Sequence, residues 1–253
     1  MTKRKLNNKR KPRILIYDLE TAHIEAKVFS LFKPMIHTTD IINDWFILCG
    51  AYKFLGEKKV HAVSCTKEEI LAKNDKRIVK QIAAAVESAD LIVAHNGDAF
   101  DIKKLKARVI KHDLKPISYK KSIDTLKVAR KEFKFTSNRL DAIGNFLGVG
   151  RKMPTISGLW NQCEAGSMKH MKMMVAYNKQ DVRLLEDVYL KLRPHMSNHP
   201  NINLITGEGH DQTCVACGSN DTHKYGIRYA KSKKYQKFLC KDCGHVFTNN
   251  KAV

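Results

Sequence analysis

The sequence predicts an α/β protein: a mixed sheet, three antiparallel strands followed by parallel ones, flanked by helices and extended at the C-terminus by a small four-cysteine module. Three observations carry this. Apolar β-rich runs come early and close together, strand-like and helical patterns then alternate, and two CxxC pairs lie near the end of the chain. A chain of 253 residues holds one sizeable core and a small module.

The first run, "PRILIYDLE", enters a strand from Pro12; "DWFILCGAYKF" and "KKVHAVS", separated by "LGE", form a hairpin with each other. "DKRIVKQIAAAVESAD" has helical spacing through Ile78, Ile82 and Val86 and leads into the strand "LIVAHN". "DAFDIKKLKARVIKH" is a helix with Phe100, Leu105 and Val109 inward, "KSIDTL" a strand end, and "NRLDAIGNFLGV" a further helix. A long helix runs from about Ser167 to about Leu192. "RPHMSNHPNINLITGEGHDQT" loses periodicity and reads as a linker, so the chain divides into a basic arm (1–11), an α/β domain (12–192), a linker (193–211) and the cysteine module (212–253). "GVG" at 148–150 is too short for a phosphate loop.

Lys+Arg of 46 against Asp+Glu of 25 gives a formal charge of +21, which favours a polyanionic partner, nucleic acid first. No apolar stretch approaches the roughly 18 residues of a bilayer span, so no membrane partner is expected. The N-terminal arm lacks a signal peptide's apolar core, and the chain reads as cytoplasmic. A compact domain with such a module suits a bacterial or bacteriophage protein.

Asp18 and Glu20, two apart on a strand, share a face at its end. Either the strand runs out into solvent there, or the pair begins a divalent-metal site, since carboxylate oxygens suit Mg²⁺. Asp98 and Asp101 follow the strand "LIVA"; a helix cap and a first-turn acid explain them as well as a site does. Tyr177 and Asp181 lie four apart, about 40° on a helix, beside an apolar stripe of Val182, Leu185 and Tyr189, while Lys179 and Asp187 are the solvent-facing candidates. That places Asp181 near the buried side. Asp124 in "IDTL" fits a structural or capping role.

"YDLET", "HNGDAFD" and "YNKQD", in this order within such an alternation, resemble the motifs of the DEDD (DnaQ-like, RNase H-like) 3′–5′ exonucleases, in the tyrosine-containing DEDDy subclass. The resemblance spans roughly residues 12–192 and makes Asp101, rather than Asp98, the acid of the second motif. It implies an RNase H-like sheet and hydrolysis of a 3′-terminal phosphodiester by two Mg²⁺ or Mn²⁺ ions, releasing nucleoside 5′-monophosphates. Asp18, Glu20, Asp101 and Asp181 would hold the ions, and the Tyr177 hydroxyl would orient the attacking water, an unperturbed tyrosine being a poor base at neutral pH. Thr21, Asn96 and Phe100 would contact the terminal nucleotide. DNA with a free 3′ end is the favoured partner. A catalytically silent nucleic-acid-binding protein and an RNase H-like endonuclease or junction resolvase are the alternatives; the intact acidic set and the tyrosine argue against them.

Cys214, Cys217, Cys240 and Cys243 form two CxxC knuckles, the spacing of a closed tetrahedral Zn²⁺ site, and the module resembles a zinc ribbon. One structural zinc is expected, with His223 and His245 as surface residues and not ligands. Between the knuckles, Lys224, Arg228, Lys231, Lys233 and Lys234 alternate with aromatics that include Tyr229 and Tyr235. They suit contact with phosphates and unpaired bases, and equally a solvated β-hairpin covering the zinc core; a protein partner is a further possible use of the ribbon.

Overall fold

The computed structural model describes residues 12–207 and 209–252; the basic arm expected over 1–11 lies outside them. The early strands are β1 (Ile14–Thr21), short β2 (Glu25–Ala26) and β3 (Ile41–Asn43), then β4 (Ile47–Phe54) and β5 (His61–Ser64). The alternation follows as α1 (Lys67–Leu71), α2 (Lys76–Glu87), β6 (Leu91–Ala94), α3 (Asp101–Lys111), β7 (Lys121–Asp124), α4 (Thr125–Glu132), α5 (Leu140–Phe146), α6 (Leu159–Glu164) and α7 (Met168–Leu192). Helix α8 (Ile202–Thr206) precedes β8 (Thr222–Tyr229), β9 (Lys234–Cys240) and β10 (Val246–Ala252).

The main sheet has the order β5-β4-β1-β6-β7. The β1/β4 and β4/β5 pairs are antiparallel, while β6 and β7 add in parallel. This is the mixed α/β sheet that the sequence predicts. Strand β1 is central because both of its faces are apolar. Leu15, Tyr17 and Leu19 pack with Ile78, Ile82 and Val86 of α2 and with Leu105 and Val109 of α3. Ile14 and Ile16 pack on the opposite face with Val182, Leu185, Val188 and Tyr189 of α7. Burying such side chains contributes roughly 1.5–3 kcal/mol each, which fixes the 25-residue α7 across the sheet.

Phe100 departs from expectation. Helix α3 begins at Asp101, so Phe100 precedes the first turn and stands 37% exposed instead of packing inward with Leu105 and Val109.

A buried charge joins the layers. Asp75, at the start of α2, is fully buried; its Oδ2 accepts the Ile47 amide (2.8 Å) from β4, and Arg108 of α3 grips both oxygens, Nη2 lying 2.6 Å from Oδ1. His112 Nε2 lies 2.6 Å from the same Oδ1.

The segment read as a linker carries a 3-10 turn (Arg193–His195) and α8, and holds the C-terminal module against the end of α7. The Ile202 amide donates to the Val215 carbonyl at 2.9 Å, and Tyr189 OH lies 3.0 Å from His199 Nε2. His245, expected at the surface, is buried: its Nδ1 lies 3.1 Å from the Pro194 carbonyl oxygen because the second knuckle packs on the end of α7. His223 is exposed. The module's sheet has the order β10-β9-β8, leaving β8 as an edge. Among the described residues no helix is long and apolar enough to cross a membrane.

Asp75→Ala leaves Arg108 buried without its partner and is expected to destabilise the protein by about 3–5 kcal/mol. Chemical denaturation measures this; a loss below about 1 kcal/mol would show that the packing of α2 and α3 on β4 does not depend on the buried pair.

Candidate active site

The two-residue period of β1 sends Asp18 and Glu20 to the face that Ile14 and Ile16 occupy. Helix α7 crosses that face, so its apolar stripe and the strand together bring Asp181 to the carboxylates of β1. One oxygen from each of Asp18, Glu20 and Asp181 lies within 4.8 Å of the others. Asp101 borders this group from α3; its Oδ1 accepts the Leu19 amide at 3.1 Å, tying it to the backbone between Asp18 and Glu20.

Asp101 reaches the strand because the turn after β6 is tight. Asn96 has a left-handed φ of 67°, and a Cβ on Gly97 would come 2.3 Å from the Ala94 Cβ. Asp124 holds the turn from below: it accepts the Asn96 amide at 2.9 Å while capping α4 through the Leu126 and Lys127 amides. Asp98 pairs with Lys127 at 2.7 Å and is not one of the three clustered carboxylates.

The electrostatics are those of carboxylates short of positive charge. Burial first, then Asp101, Glu20 and Asp181, raise Asp18 well above the ordinary carboxylate range. Burial and the charge of Asp181 raise Glu20 to about 8, although Lys152 works against them. Burial raises Asp101 to about 7 despite its hydrogen bond from Leu19, and burial raises Asp181 as well. The Asp181 Oδ1 atom is buried without a hydrogen-bond partner among the described residues. Hard oxygen donors, mutual repulsion and an unpartnered oxygen together fit a divalent cation such as Mg²⁺ or Mn²⁺.

Two residues that the sequence reading did not single out complete the site. Lys152 Nζ lies 2.5 Å from Asp181 Oδ2 and 3.0 Å from Tyr177 OH. Burial alone would lower the Lys152 ammonium, but Asp181 more than offsets it and holds it above the ordinary lysine value. The loop that carries Lys152 is pinned to α5, its amide donating to Asp141 Oδ1 at 2.8 Å. Asn178, fully buried, donates to Asp18 Oδ2 at 2.6 Å. Tyr177 is half-buried, with Trp160 of α6 edge-on to its ring at 6.1 Å, and burial raises its hydroxyl to about 12.

Around the cleft, Thr21 ends β1, Asn96 is exposed, and the Phe100 ring lies 5.3 Å from the Lys104 ammonium. The remaining candidates are elsewhere. Lys224, Arg228, Tyr229, Lys231, Lys233, Lys234 and Tyr235 sit on the β8–β9 hairpin, and the module that carries it docks beyond residue 193 of the chain, about 18 Å along α7 from Asp181. There Lys234 approaches the Tyr229 ring at 5.6 Å and Arg228 the Tyr235 ring at 5.9 Å.

The sulfur atoms of Cys214, Cys217, Cys240 and Cys243 lie within 4.8 Å of one another, with the 214–243 and 217–240 pairs each at 3.6 Å. Four thiolates about 2.3 Å from a tetrahedral zinc stand about 3.8 Å apart, so this set can hold that ion.

A family model described as the RNase_H superfamily matches residues 36–193, and the protein belongs to that superfamily. Asp101, Tyr177 and Asp181 fall inside the match; Asp18 and Glu20 precede it. Among solved structures the chain is similar to the family B DNA polymerase of the hyperthermophilic archaeon Pyrobaculum calidifontis, with 13% identity and a TM-score of 0.50 over 89% of this chain. That likeness is one of fold, and the chain spans 32% of the polymerase's length. No curated protein sequence matches the chain.

Because the folded-state pKa of Glu20, about 8, exceeds its ordinary 4.5, the folded protein binds extra protons between those values. The contribution of Glu20 to cation-free stability is therefore fullest below the lower value and is lost as pH rises through the higher one. Mg²⁺ or Mn²⁺ should raise the melting temperature little at about pH 5.5 and by several degrees at about pH 8.5. Equal shifts at the two pH values, read by differential scanning fluorimetry, would contradict this electrostatic picture.

Proposed function

We propose that the protein is a metal-dependent 3′–5′ exonuclease of nucleic acid, acting on DNA in preference and releasing nucleoside 5′-monophosphates. The observation that carries the reading is the meeting of Asp18 and Glu20 from β1 with Asp181 from α7, beside Tyr177 and Asp101. Two Mg²⁺ or Mn²⁺ ions bound by Asp18, Glu20, Asp101 and Asp181 would supply an activated water nucleophile and Lewis-acid stabilisation of the leaving 3′ oxygen.

The chain's own groups do the rest. Tyr177, its hydroxyl raised to about 12, stays protonated at neutral pH and orients the water by hydrogen bonding instead of removing its proton. Lys152 stays charged beside Asp181 and offers positive charge to a scissile phosphate. Asn178 fixes the Asp18 carboxylate, leaving its other oxygen for cation binding. Thr21 and Asn96 position the terminal nucleotide, and the exposed Phe100 ring offers its base a stacking surface. One structural Zn²⁺ on the four cysteines folds the ribbon, whose basic and aromatic hairpin binds substrate away from the cleft.

On oligonucleotides labelled separately at the 3′ and 5′ ends, the wild type with Mg²⁺ or Mn²⁺ should release 3′-terminal mononucleotide first, and Asp18→Ala or Asp181→Asn should abolish release. Lys152→Ala should lower kcat by roughly 10²-fold. Internal cleavage would favour an endonuclease, and no metal-dependent turnover on DNA or RNA would refute the enzymatic reading.

For the ribbon, Arg228→Ala with Lys234→Ala should weaken single-strand binding and reduce the slope of log affinity against log salt by about 1.4, two phosphate contacts at roughly 0.7 each. An unchanged slope in fluorescence anisotropy would assign the ribbon to docking a protein partner. Metal analysis of the same preparations should give one zinc per chain.

A further inference from the structure

The most apolar exposed surface of the described chain lies in the excursion between β1 and β4. After Ala22 the chain leaves the sheet, pairs β2 with β3 in a short ladder, and carries residues 28–36 at the tip. The stem is braced: Lys27 N donates to the Asp40 carbonyl at 2.9 Å, Asn43 donates to Glu25, and Lys73 Nζ reaches the same carboxylate at 3.3 Å. His23 donates its backbone amide to Glu164 of α6 at 2.8 Å. The tip has no such cover. Phe29 is fully exposed, and Leu31, Phe32 and Met35 are at least 80% exposed, with Val28 and Ile36 beside them. Leaving so many large apolar groups in water is costly unless they meet a ligand.

Position and charge select the ligand. The stem leaves β1 two residues after Glu20, at the carboxylate end of the sheet, and is tied to the helix whose Trp160 lies edge-on to Tyr177. Lys27 and Lys33 flank the apolar side chains, on a chain with a formal charge of +21. Asp101 and Asp181 are buried, 2% and 1% exposed. On the nuclease reading, carboxylates so buried are reached more readily by a 3′ nucleotide freed from its pair. Apolar side chains inserted at a base step offset the loss of stacking, as Phe, Leu, Ile, Met and Pro wedges do elsewhere.

We infer that the 28–36 tip, on its braced β2–β3 stem, is a wedge that enters the end of a nucleic-acid duplex and separates the terminal pairs, passing the 3′ strand to the cleft. The inference rests on the nuclease reading for its purpose but is measured without turnover.

The probe is a blunt DNA duplex with 2-aminopurine at the penultimate 3′ position, which brightens on unstacking, bound to the full-length Asp181→Asn protein. Binding should brighten it severalfold, and adding Phe29→Ala and Phe32→Ala should remove most of that rise while leaving the melting temperature unaltered, both rings being exposed. In the otherwise wild-type chain the double substitution should lower the ratio of blunt-duplex to pre-frayed-end hydrolysis by about tenfold or more. No brightening on binding, brightening that survives the substitutions, or equal losses on the two substrates would overturn the wedge. Brightening with no hydrolysis by the wild type would retain it and sink the nuclease assignment instead.

Discussion

Asp18, Glu20 and Asp181 are held within a few ångströms of one another and largely out of water, where like charges cost most. The arrangement survives because its neighbours are over-determined. Strand β1 is locked between two apolar layers, and α7 cannot rotate without exposing Val182, Leu185 and Tyr189. Asn178 and Lys152 relieve part of the repulsion through one hydrogen bond and one ion pair, but the free Asp181 Oδ1 and the raised pKa of Glu20 leave a deficit of positive charge. That deficit is what a divalent cation would fill.

The molecule is polarised along α7. The middle of the helix brings Asp181 to the carboxylates of β1, and its C-terminal end, about 18 Å away, carries the docked four-cysteine module with its basic hairpin. The long helix therefore links the carboxylate cluster and the four-cysteine module in one span. In the proposed reading, a substrate strand that touches both would gain affinity from the hairpin without altering the reacting groups.

Much of this was legible in the sequence because local periodicity is short-ranged. The two-residue period of "YDLE" places Asp18 and Glu20 on one face, and the helical period puts Tyr177 and Asp181 beside the stripe that packs on β1. The CxxC spacing fixes which sulfurs meet. Lys152 was not legible: it sits in an irregular loop, and only the packing of α5 against α7 brings it to residues 25 and 29 positions later. Asn178 carried a faint signal, a polar residue where the α7 stripe is buried. Phe100 was misplaced because the helix starts at Asp101 and not at the Asp98 end of the predicted segment, and His245 by a docking interface that no local pattern encodes. The exposed run between Val28 and Ile36 has apolar composition but no periodicity, so neither strand nor helix reasoning could assign it.

The central claim, that the β1 and α7 carboxylates form one cation site, is tested most directly by Mn²⁺ titration of the zinc-loaded full-length protein, followed by electron paramagnetic resonance at neutral pH. The account predicts that the wild type takes up Mn²⁺ and that Glu20→Gln and Asp181→Asn each weaken or abolish uptake, although the two residues lie on elements far apart in the chain. Uptake indifferent to both substitutions would contradict it.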